Sequence, residues 1–597
     1  MDPVVREAQG RGHFRSPRQL GVVVAGRECR HHQHSPQAVA RPDWQKEARV
    51  PIFSVADLRV AFGAVEVVHG VSFGVEPGKT LAIVGESGSG KSVSLLGATG
   101  LLPPAASVRG SVLHKGDEIL GLSAGDLRRR RGAGIGFVFQ DPLSNLHPLK
   151  TIGQQIAEAI TAHRRVGRGE LRQRVLDLLA DVGIPDPSAR VNDYPRQFSG
   201  GMRQRVMIAA AIALNPGLII ADEPTTALDV TVQASILDLL KRIQQDHGTA
   251  MIFVSHDLAV VSDIADDVLV MRAGHVVEQA PAELIYRAPR QAYTRELLGA
   301  ARLGGLVARA ARSSLLPALP SMPDLLSVSA IARSFAGRSA AGGLIRPVLT
   351  NISFTVRENE IVGLVGESGS GKSTIGRLIA GLDRPDEGSI SLRERIYSRP
   401  GVGGIAIDRK LRSDIQVIFQ DPYASLNPRR RIRSILAEPF IIGTRLDAAA
   451  IRRRVQDLVR HVELPDDVLD RYPAQLSGGQ RQRVAIARAI ALEPSLIVAD
   501  EPVSALDITT QAKIIRLLQT IRRQRGLSLL FISHDLGVVS ELCDRVIVLE
   551  KGVIVEAGET GRVFGAPRHP YTVRLIDAIP GKVLRRNPVP ERIAAHA

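Results

Sequence analysis

The chain has 597 residues and carries 77 Lys and Arg against 61 Asp and Glu, a formal net charge of +16. Apolar residues make up 44 % and charged residues 23 %, which excludes wholesale disorder and fibrous repeats; the length allows roughly two to four domains. Two cysteines, Cys29 and Cys543, exclude a disulfide framework, a four-cysteine zinc site and a cysteine-ligated iron–sulfur cluster.

The basic excess invites a nucleic-acid or anionic-membrane partner. It consists of 66 Arg and only 11 Lys, a skew that fits GC-rich coding better than a surface selected for phosphate contacts. No apolar run reaches the roughly 18–20 uncharged residues of a membrane helix. A role at a membrane therefore requires a partner that spans it. Residues 1–50 are basic, dotted with His31, His32 and His34, and lack apolar periodicity. They read as a disordered tail or as sequence ahead of the true start, with the histidines incidental. Their one apolar run, between Gly21 and Gly26, is too short for a signal-peptide core.

Ordered sequence begins near Ile52, where residues 53–62 partly alternate like a strand. Leu81–Val84 is a short apolar strand running into Gly85, Glu86, Ser87, Gly88, Ser89, Gly90, Lys91 and Ser92, and a helical pattern follows. The glycines let backbone N–H groups turn inward on a phosphate, and the helix N-terminus adds positive dipole. Lys91 is placed to reach the β- and γ-phosphates of a nucleotide, and the Ser92 hydroxyl to coordinate Mg²⁺. Further on come Phe139 and Gln140, an amphipathic helical pattern over 170–179, and Ser199, Gly200 and Gly201 opening a helical run. Leu218–Ala221 is an apolar strand ending in Asp222 and Glu223. A buried parallel strand carries such carboxylates to its C-terminal edge, where ligands sit in open α/β folds. Asp222 then faces Mg²⁺, and Glu223 polarises an attacking water. Met251–Ser255 is another apolar strand, and it leads to His256.

All of this recurs 278–281 residues later. Gly366, Glu367, Ser368, Gly369, Ser370, Gly371, Lys372 and Ser373 repeat the phosphate loop, and Gln420 repeats Gln140. Ser477, Gly478 and Gly479, the pair Asp500 and Glu501, and His534 follow in the same order. A duplicated domain of about 250 residues is too large a period for a solenoid. Taken alone, Asp-Glu-Pro is equally a plain strand end and a histidine after a strand is usually structural. Both histidines stand about 34 residues past the acids, which favours a γ-phosphate sensor. The intervening 301–326, with Pro317, Pro320 and Pro323, reads as a linker.

Phosphate loop, glutamine loop, Ser-Gly-Gly, acidic strand and histidine, twice in this order, resemble the ATP-binding subunits of ABC transporters. The resemblance covers residues 51–300 and 327–581. The segments after Phe139 and Phe419, and Pro289–Thr294 (Pro-Arg-Gln-Ala-Tyr-Thr) and Pro567–Thr572 (Pro-Arg-His-Pro-Tyr-Thr), are similar to the dipeptide, oligopeptide and nickel importer group. Met202 stands where the second copy has Gln480, an asymmetry that resembles two distinct importer ATPase subunits fused in one chain.

The resemblance implies two tandem P-loop NTPase domains of α/β class. Each has a mixed, mainly parallel sheet, an antiparallel β subdomain and a helical subdomain. The domains span 51–300 and 327–585, with a tail at 586–597. It implies ATP and Mg²⁺ as cofactors and a head-to-tail pairing of the halves. One composite site joins Lys91, Ser92, Gln140, Asp222, Glu223 and His256 with Ser477, Gly478, Gly479 and Gln480. The other joins Lys372, Ser373, Thr374, Gln420, Asp500, Glu501 and His534 with Ser199, Gly200 and Gly201. Gln140 and Gln420 join the metal ligands, and Asp229 and Asp507 lie across the seam. Phe62 and Phe335 are candidates to stack on adenine. The implied partners are two permease subunits, docked on the helical subdomains, and an extracytoplasmic solute-binding protein. The implied location is the cytoplasmic face of a bacterial inner membrane. Peptide is the first expectation for the transported solute, with nickel and glutathione-like peptides open. The rivals are a soluble tandem ATPase acting on ribosomes or nucleic acid, and a non-enzymatic regulatory module. Against the first, the chain has no set of zinc-binding cysteines and no long charged linker between the copies; intact Glu223 and Glu501 oppose the second.

Overall fold

The computed structural model describes residues 50–226, 228–302, 322–336, 345–401, 409–504 and 506–581. The N-terminal tail through residue 49 with Cys29, His31, His32 and His34, most of the expected linker and the C-terminal tail lie outside the described residues. The first half opens with β1 (Phe53–Phe62) and β2 (Val65–Val75), an antiparallel pair. The alternation of β1 is only partial because Asp57 takes a left-handed φ of 47° and the register shifts there, a bulge that re-aims the strand. With β4 (Ala106–His114) and β5 (Asp117–Glu118) these strands form a four-stranded sheet in the order β2-β1-β4-β5.

The central sheet contains β3 (Thr80–Val84), β6 (Ile135–Val138), β7 (Leu218–Asp222), β8 (Ala250–Ser255), β9 (Asp267–Arg272) and β10 (His275–Pro281). Its order is β10-β9-β3-β8-β7-β6, parallel throughout except for β10. β3, β7 and β8 are buried at every position, which is why they read as unbroken apolar runs. Both faces are covered. Leu81 and Ile83 pack with the four-stranded sheet, while Ala82 and Val84 pack into the helical layer. That period of two is the strand geometry itself.

Among the helices of this half are α1 (Lys91–Ala98), α2 (Ile152–Thr161), α3 (Arg168–Asp181), α4 (Gly200–Ile212), α5 (Val230–His247), α6 (Leu258–Ile264) and α7 (Ala292–Arg302). The amphipathic pattern at 170–179 lies inside α3, and α2 begins on a Thr151–Gln154 capping box.

The second half repeats the plan. β11 (Asp324–Ala336), β12 (Ile345–Arg357), β14 (Glu387–Leu392) and β15 (Arg395–Ser398) form the four-stranded sheet. β13 (Ile361–Val365), β16 (Ile415–Ile418), β17 (Leu496–Asp500), β18 (Ser528–Ile532), β19 (Arg545–Glu550) and β20 (Val553–Glu559) form the central one, in the order β16-β17-β18-β13-β19-β20. Among its helices are α8 (Lys372–Ile379), α9 (Ile432–Gly443), α10 (Ala448–His461), α11 (Gly478–Ile490), α12 (Ile508–Arg525), α13 (Leu536–Leu542) and α14 (Pro570–Asp577). β11 opens at Asp324, inside the span that the three prolines mark as linker, because Leu325 and Leu326 are buried in the sheet core. The fold class expected from the sequence is the one found: a mainly parallel sheet, an antiparallel sheet and a helical layer, twice.

The halves interlock. Helix α7 packs against α12 of the second half, and α14 packs against α5 of the first. The amide of Gly581 donates to Asp263 Oδ2 at 2.9 Å. Among the described residues no helix is long and apolar enough to cross a membrane.

Candidate functional site

Strand order decides which motifs meet. β3, β8 and β7 lie side by side, so the phosphate loop after β3, His256 after β8 and the acids ending β7 share one sheet edge. β13, β18 and β17 do the same for the second set.

The loop leaves β3 at Gly85, whose φ is 156°; a Cβ there would stand 2.2 Å from the Met271 carbonyl oxygen of the neighbouring strand. Only glycine passes that close to another backbone. Ser87, Gly88, Ser368 and Gly369 are exposed at the two loop tips, while Gly90 and Gly371 cap α1 and α8 in left-handed conformations, with no side-chain cap on the helix amides. Uncapped N-terminal amides suit an anion. Lys91 Nζ donates to the carbonyls of Gly85 (2.8 Å) and Glu86 (2.9 Å), and Lys372 Nζ to those of Gly366 and Glu367, both at 2.7 Å. Each lysine is only 5 % exposed. Burial pushes both ammonium pKa values down, against the pull of the nearby acids, including one aspartate of the opposite half: Asp507 for Lys91 and Asp229 for Lys372.

The site fits a nucleotide with a hard divalent cation. Ser89 Oγ and Ser370 Oγ are buried in the loops without a hydrogen-bond partner. Ser92 Oγ donates to Asp222 Oδ1 at 2.9 Å, and Ser373 Oγ to Asp500 Oδ1 at 3.1 Å, so each loop brings a hydroxyl and a carboxylate together as oxygen donors. Burial raises the pKa of both aspartates, and the serine hydrogen bonds offset it only in part.

Glu223 and Glu501 sit just past the strand ends with φ of 46° and 47°. The left-handed backbone turns each away from the preceding aspartate, at a cost that surrounding contacts must meet. Three side chains hold Glu223. Gln140 Nε2 donates to Oε2 at 2.8 Å, Thr226 Oγ1 donates to Oε2 at 3.0 Å, and His256 Nδ1 lies 3.3 Å from Oε1. Glu501 receives Gln420 Nε2 at 2.8 Å and has His534 Nδ1 at 3.1 Å. Burial pushes these glutamates up, but the histidine hydrogen bond and charge outweigh it, so both lie below the ordinary carboxylate range. Burial likewise lowers the histidines, and the glutamate partner overcomes it, so both lie above the usual imidazole value. Each pair favours imidazolium and carboxylate.

Ser199 and Ser477 are N-caps of α4 and α11. Gln480 completes a capping box by accepting from the Ser477 amide at 3.0 Å; Met202 carries no acceptor and leaves the first helix with the serine bond alone. A Cβ on Gly201 would lie 2.3 Å from Val232 Cγ1, and one on Gly479 2.5 Å from Thr510 Cγ2. The second glycine of each turn therefore seats that turn on the helix that follows Asp229 or Asp507.

Lys91, Ser92, Gln140, Asp222, Glu223 and His256 come together, as do Lys372, Ser373, Gln420, Asp500, Glu501 and His534; Thr374 follows on α8. Gln140 and Gln420 lie on the glutamates. Across the seam, Thr509 Oγ1 donates to Glu86 Oε1 at 3.1 Å and Thr231 Oγ1 to Glu367 Oε1 at 3.0 Å. Among the described residues no hydrogen bond joins either Ser-Gly-Gly turn to the opposite phosphate loop. Phe62 and Phe335 end β1 and β11 at 36 % and 42 % exposure, and the Arg333 guanidinium lies 4.8 Å from the Phe335 ring centre. Sequence reasoning missed Thr226, Thr231, Thr509 and two tyrosines, Tyr293 and Tyr571, that reach the phosphate loops. The Pro-x-x-x-Tyr-Thr repeat was the visible signal for the tyrosines.

A family model described as "ABC transporter" matches residues 68–226 and again 349–504. One described as "Oligopeptide/dipeptide transporter, C-terminal region" matches 555–591. The chain is 43 % identical over 607 residues to the oligopeptide transport ATP-binding protein OppD of Mycobacterium tuberculosis, covering 89 % of this chain and 98 % of that one. It is 42 % identical over 563 residues to the glutathione import ATP-binding protein GsiA of Salmonella typhimurium, covering 89 % of each. It is 43 % identical over 545 residues to the peptidoglycan transport ATP-binding protein YejF of Agrobacterium fabrum, covering 88 % of this chain and 96 % of that one.

Proposed function

The chain belongs to the ABC transporter ATP-binding proteins, ATPases coupled to transport, and on that premise we propose that it hydrolyses ATP at two composite sites to drive peptide import. Small peptides, glutathione-like ones among them, are the solute class that the relatives' names and the C-terminal match support. The partners are two permease subunits and an extracytoplasmic binding protein, and the working position is the cytoplasmic face of a bacterial inner membrane. The observation that carries the reading is the duplicated cluster in which a phosphate-loop lysine, a Ser–Asp pair and a Gln- and His-held glutamate share one sheet edge.

The residues divide the work. The backbone of Gly85–Gly90 and of Gly366–Gly371 wraps the phosphates, and Lys91 and Lys372 offset charge on the β- and γ-oxygens. Ser92 and Asp222, or Ser373 and Asp500, with Gln140 or Gln420, would hold Mg²⁺, which would supply further neutralisation of the phosphate oxygens. Glu223 and Glu501 accept a proton from, or orient, the attacking water. His256 and His534 hold those carboxylates and sense the γ-phosphate. Ser199, Gly200 and Gly201, and Ser477, Gly478, Gly479 and Gln480, bring their amides to the nucleotide of the other half. Phe62 and Phe335, both accessible, flank the adenine. ATP favours the closed pair and hydrolysis releases it, a population shift that Gln140 and Gln420 pass to the permease surface.

The test is the full chain reconstituted with its permeases in vesicles. ATP hydrolysis stimulated by peptide and abolished in the double Glu223→Gln, Glu501→Gln variant is expected. Hydrolysis that survives the double variant overturns the assignment of the glutamates, and stimulation by nucleic acid instead of peptide overturns the transport reading.

A further inference from the structure

One peptide unit in each half is held at both ends. The carbonyl of Gly85 accepts from Lys91 Nζ at 2.8 Å, and the N–H of the same peptide unit, that of Glu86, donates to the Tyr293 hydroxyl at 3.3 Å. In the second half the Gly366 carbonyl accepts from Lys372 Nζ at 2.7 Å, and the Glu367 N–H donates to Tyr571 Oη at 2.8 Å. A peptide is planar, so fixing its N–H fixes its carbonyl. A hydrogen bond at one end also polarises the other. Both phenols are buried, 5 % and 2 % exposed, and an arginine covers each ring: Arg272 at 4.6 Å and Arg574 at 5.6 Å from the centroids. Burial raises both phenol pKa values, Tyr571 to about 12, so the hydroxyls stay protonated.

The tyrosines belong to helices that reach the other half. Tyr293 lies on α7, which packs on α12, and Tyr571 on α14, which packs on α5. The same two helices, α12 and α5, carry Thr509 and Thr231, whose hydroxyls donate to the side chains of Glu86 and Glu367. The second residue of each phosphate loop is thus gripped by its own half's tail through the backbone and by the opposite half through the carboxylate.

We infer that Tyr293 and Tyr571 are positioning residues for nucleotide binding: each orients the peptide that seats the phosphate-loop lysine and ties that seat to the seam. This rests on the ATPase reading above. A lysine held by two carbonyls at the right place meets the phosphates without first being ordered. Loss of one hydroxyl acceptor leaves a partly buried N–H unpaired and loosens the seat.

The experiment measures KM and kcat for ATP, ATP binding and thermal unfolding on the full-length chain. Tyr571→Phe keeps the ring and its arginine cover. It is expected to raise KM about three- to tenfold, with kcat changed less than twofold and the unfolding midpoint nearly unmoved. Tyr293→Phe, whose bond is longer, is expected to raise KM less. An unchanged KM in Tyr571→Phe, with or without a lower midpoint, makes the tyrosine a packing residue and overturns the inference. The double Lys91→Ala, Lys372→Ala variant separates the two levels. If it binds ATP normally, the nucleotide-site reading itself fails; if it loses ATP while Tyr571→Phe does not weaken it, the tyrosine inference alone fails.

Discussion

The two halves of the chain agree where chemistry is expected and diverge in what supports it. The bonds of Lys91 and Lys372, of the two Ser–Asp pairs and of the two Gln–Glu pairs match within about 0.2 Å. The supports differ. Thr226 donates to the Glu223 carboxylate, whereas Ser504 donates to the Glu501 main-chain carbonyl. Gln480 closes a capping box that Met202 leaves open. His114 ends β4 opposite Phe53, and Leu392 ends β14 opposite Leu326 in the corresponding place. The comparison teaches that the reacting groups tolerate little variation while the scaffold under them drifts.

The strongest way to break that parity is at the glutamates. Glu223→Gln and Glu501→Gln, made singly, are each expected to remove about half or more of the ATP turnover of the full chain, since a general base contributes roughly 10²–10⁴-fold at its own site while the other site keeps its glutamate. Turnover left untouched by either substitution would show the halves to be unequal.

The buried histidine gives the next largest effect. His114 is 3 % exposed and neither ring nitrogen has a hydrogen-bond partner; burial, aided by Lys115 and Arg130, lowers its pKa to about 4. Between the ordinary imidazole value near 6.5 and about 4, the unfolded chain binds the proton and the folded chain does not. Stability therefore falls as pH drops through that window, by at most about 3 kcal/mol. Thermal unfolding scanned against pH is expected to show this acid-side loss, and His114→Leu, which copies the second half, to flatten it.

Steric parity at the glycine turns is tested by Gly201→Ala and Gly479→Ala. Each places a Cβ within 2.5 Å of a side chain on the adjoining helix. Overpacking of this kind costs about 1–3 kcal/mol, and both are expected to lower the unfolding midpoint. A midpoint unchanged in both would mean Val232 and Thr510 yield freely. The smallest effect sharpens the cap difference: Met202→Gln is expected to stabilise by about 0.5–1 kcal/mol and Gln480→Met to destabilise by as much, read by denaturant unfolding.

Much of the site could be read in advance because its motifs are local. A glycine loop between strand and helix, or acids at the end of an apolar run such as Leu218–Asp222, needs only neighbouring residues to be recognised. The contacts that reading missed are long-range. Tyr293 meets a residue 207 positions away, and Thr509 one 423 positions away. No periodicity encodes such pairing; it follows from strand order and from how the halves dock. The start of β11 at Asp324 is hidden for a related reason: Pro317, Pro320 and Pro323 speak for turns, while the burial of Leu325 and Leu326 depends on a sheet assembled from distant strands. Partial alternation in β1 concealed a bulge at Asp57, and Ala330 in β11, with a φ of 50°, repeats it.

The reciprocal tails have a bearing on assembly. Because α7 lies on α12 while α14 lies on α5, and Gly581 reaches Asp263, each half is finished by the other's surface. Carrying both on one polypeptide sets their stoichiometry at translation, so neither half is made in excess of the counterpart that covers its end.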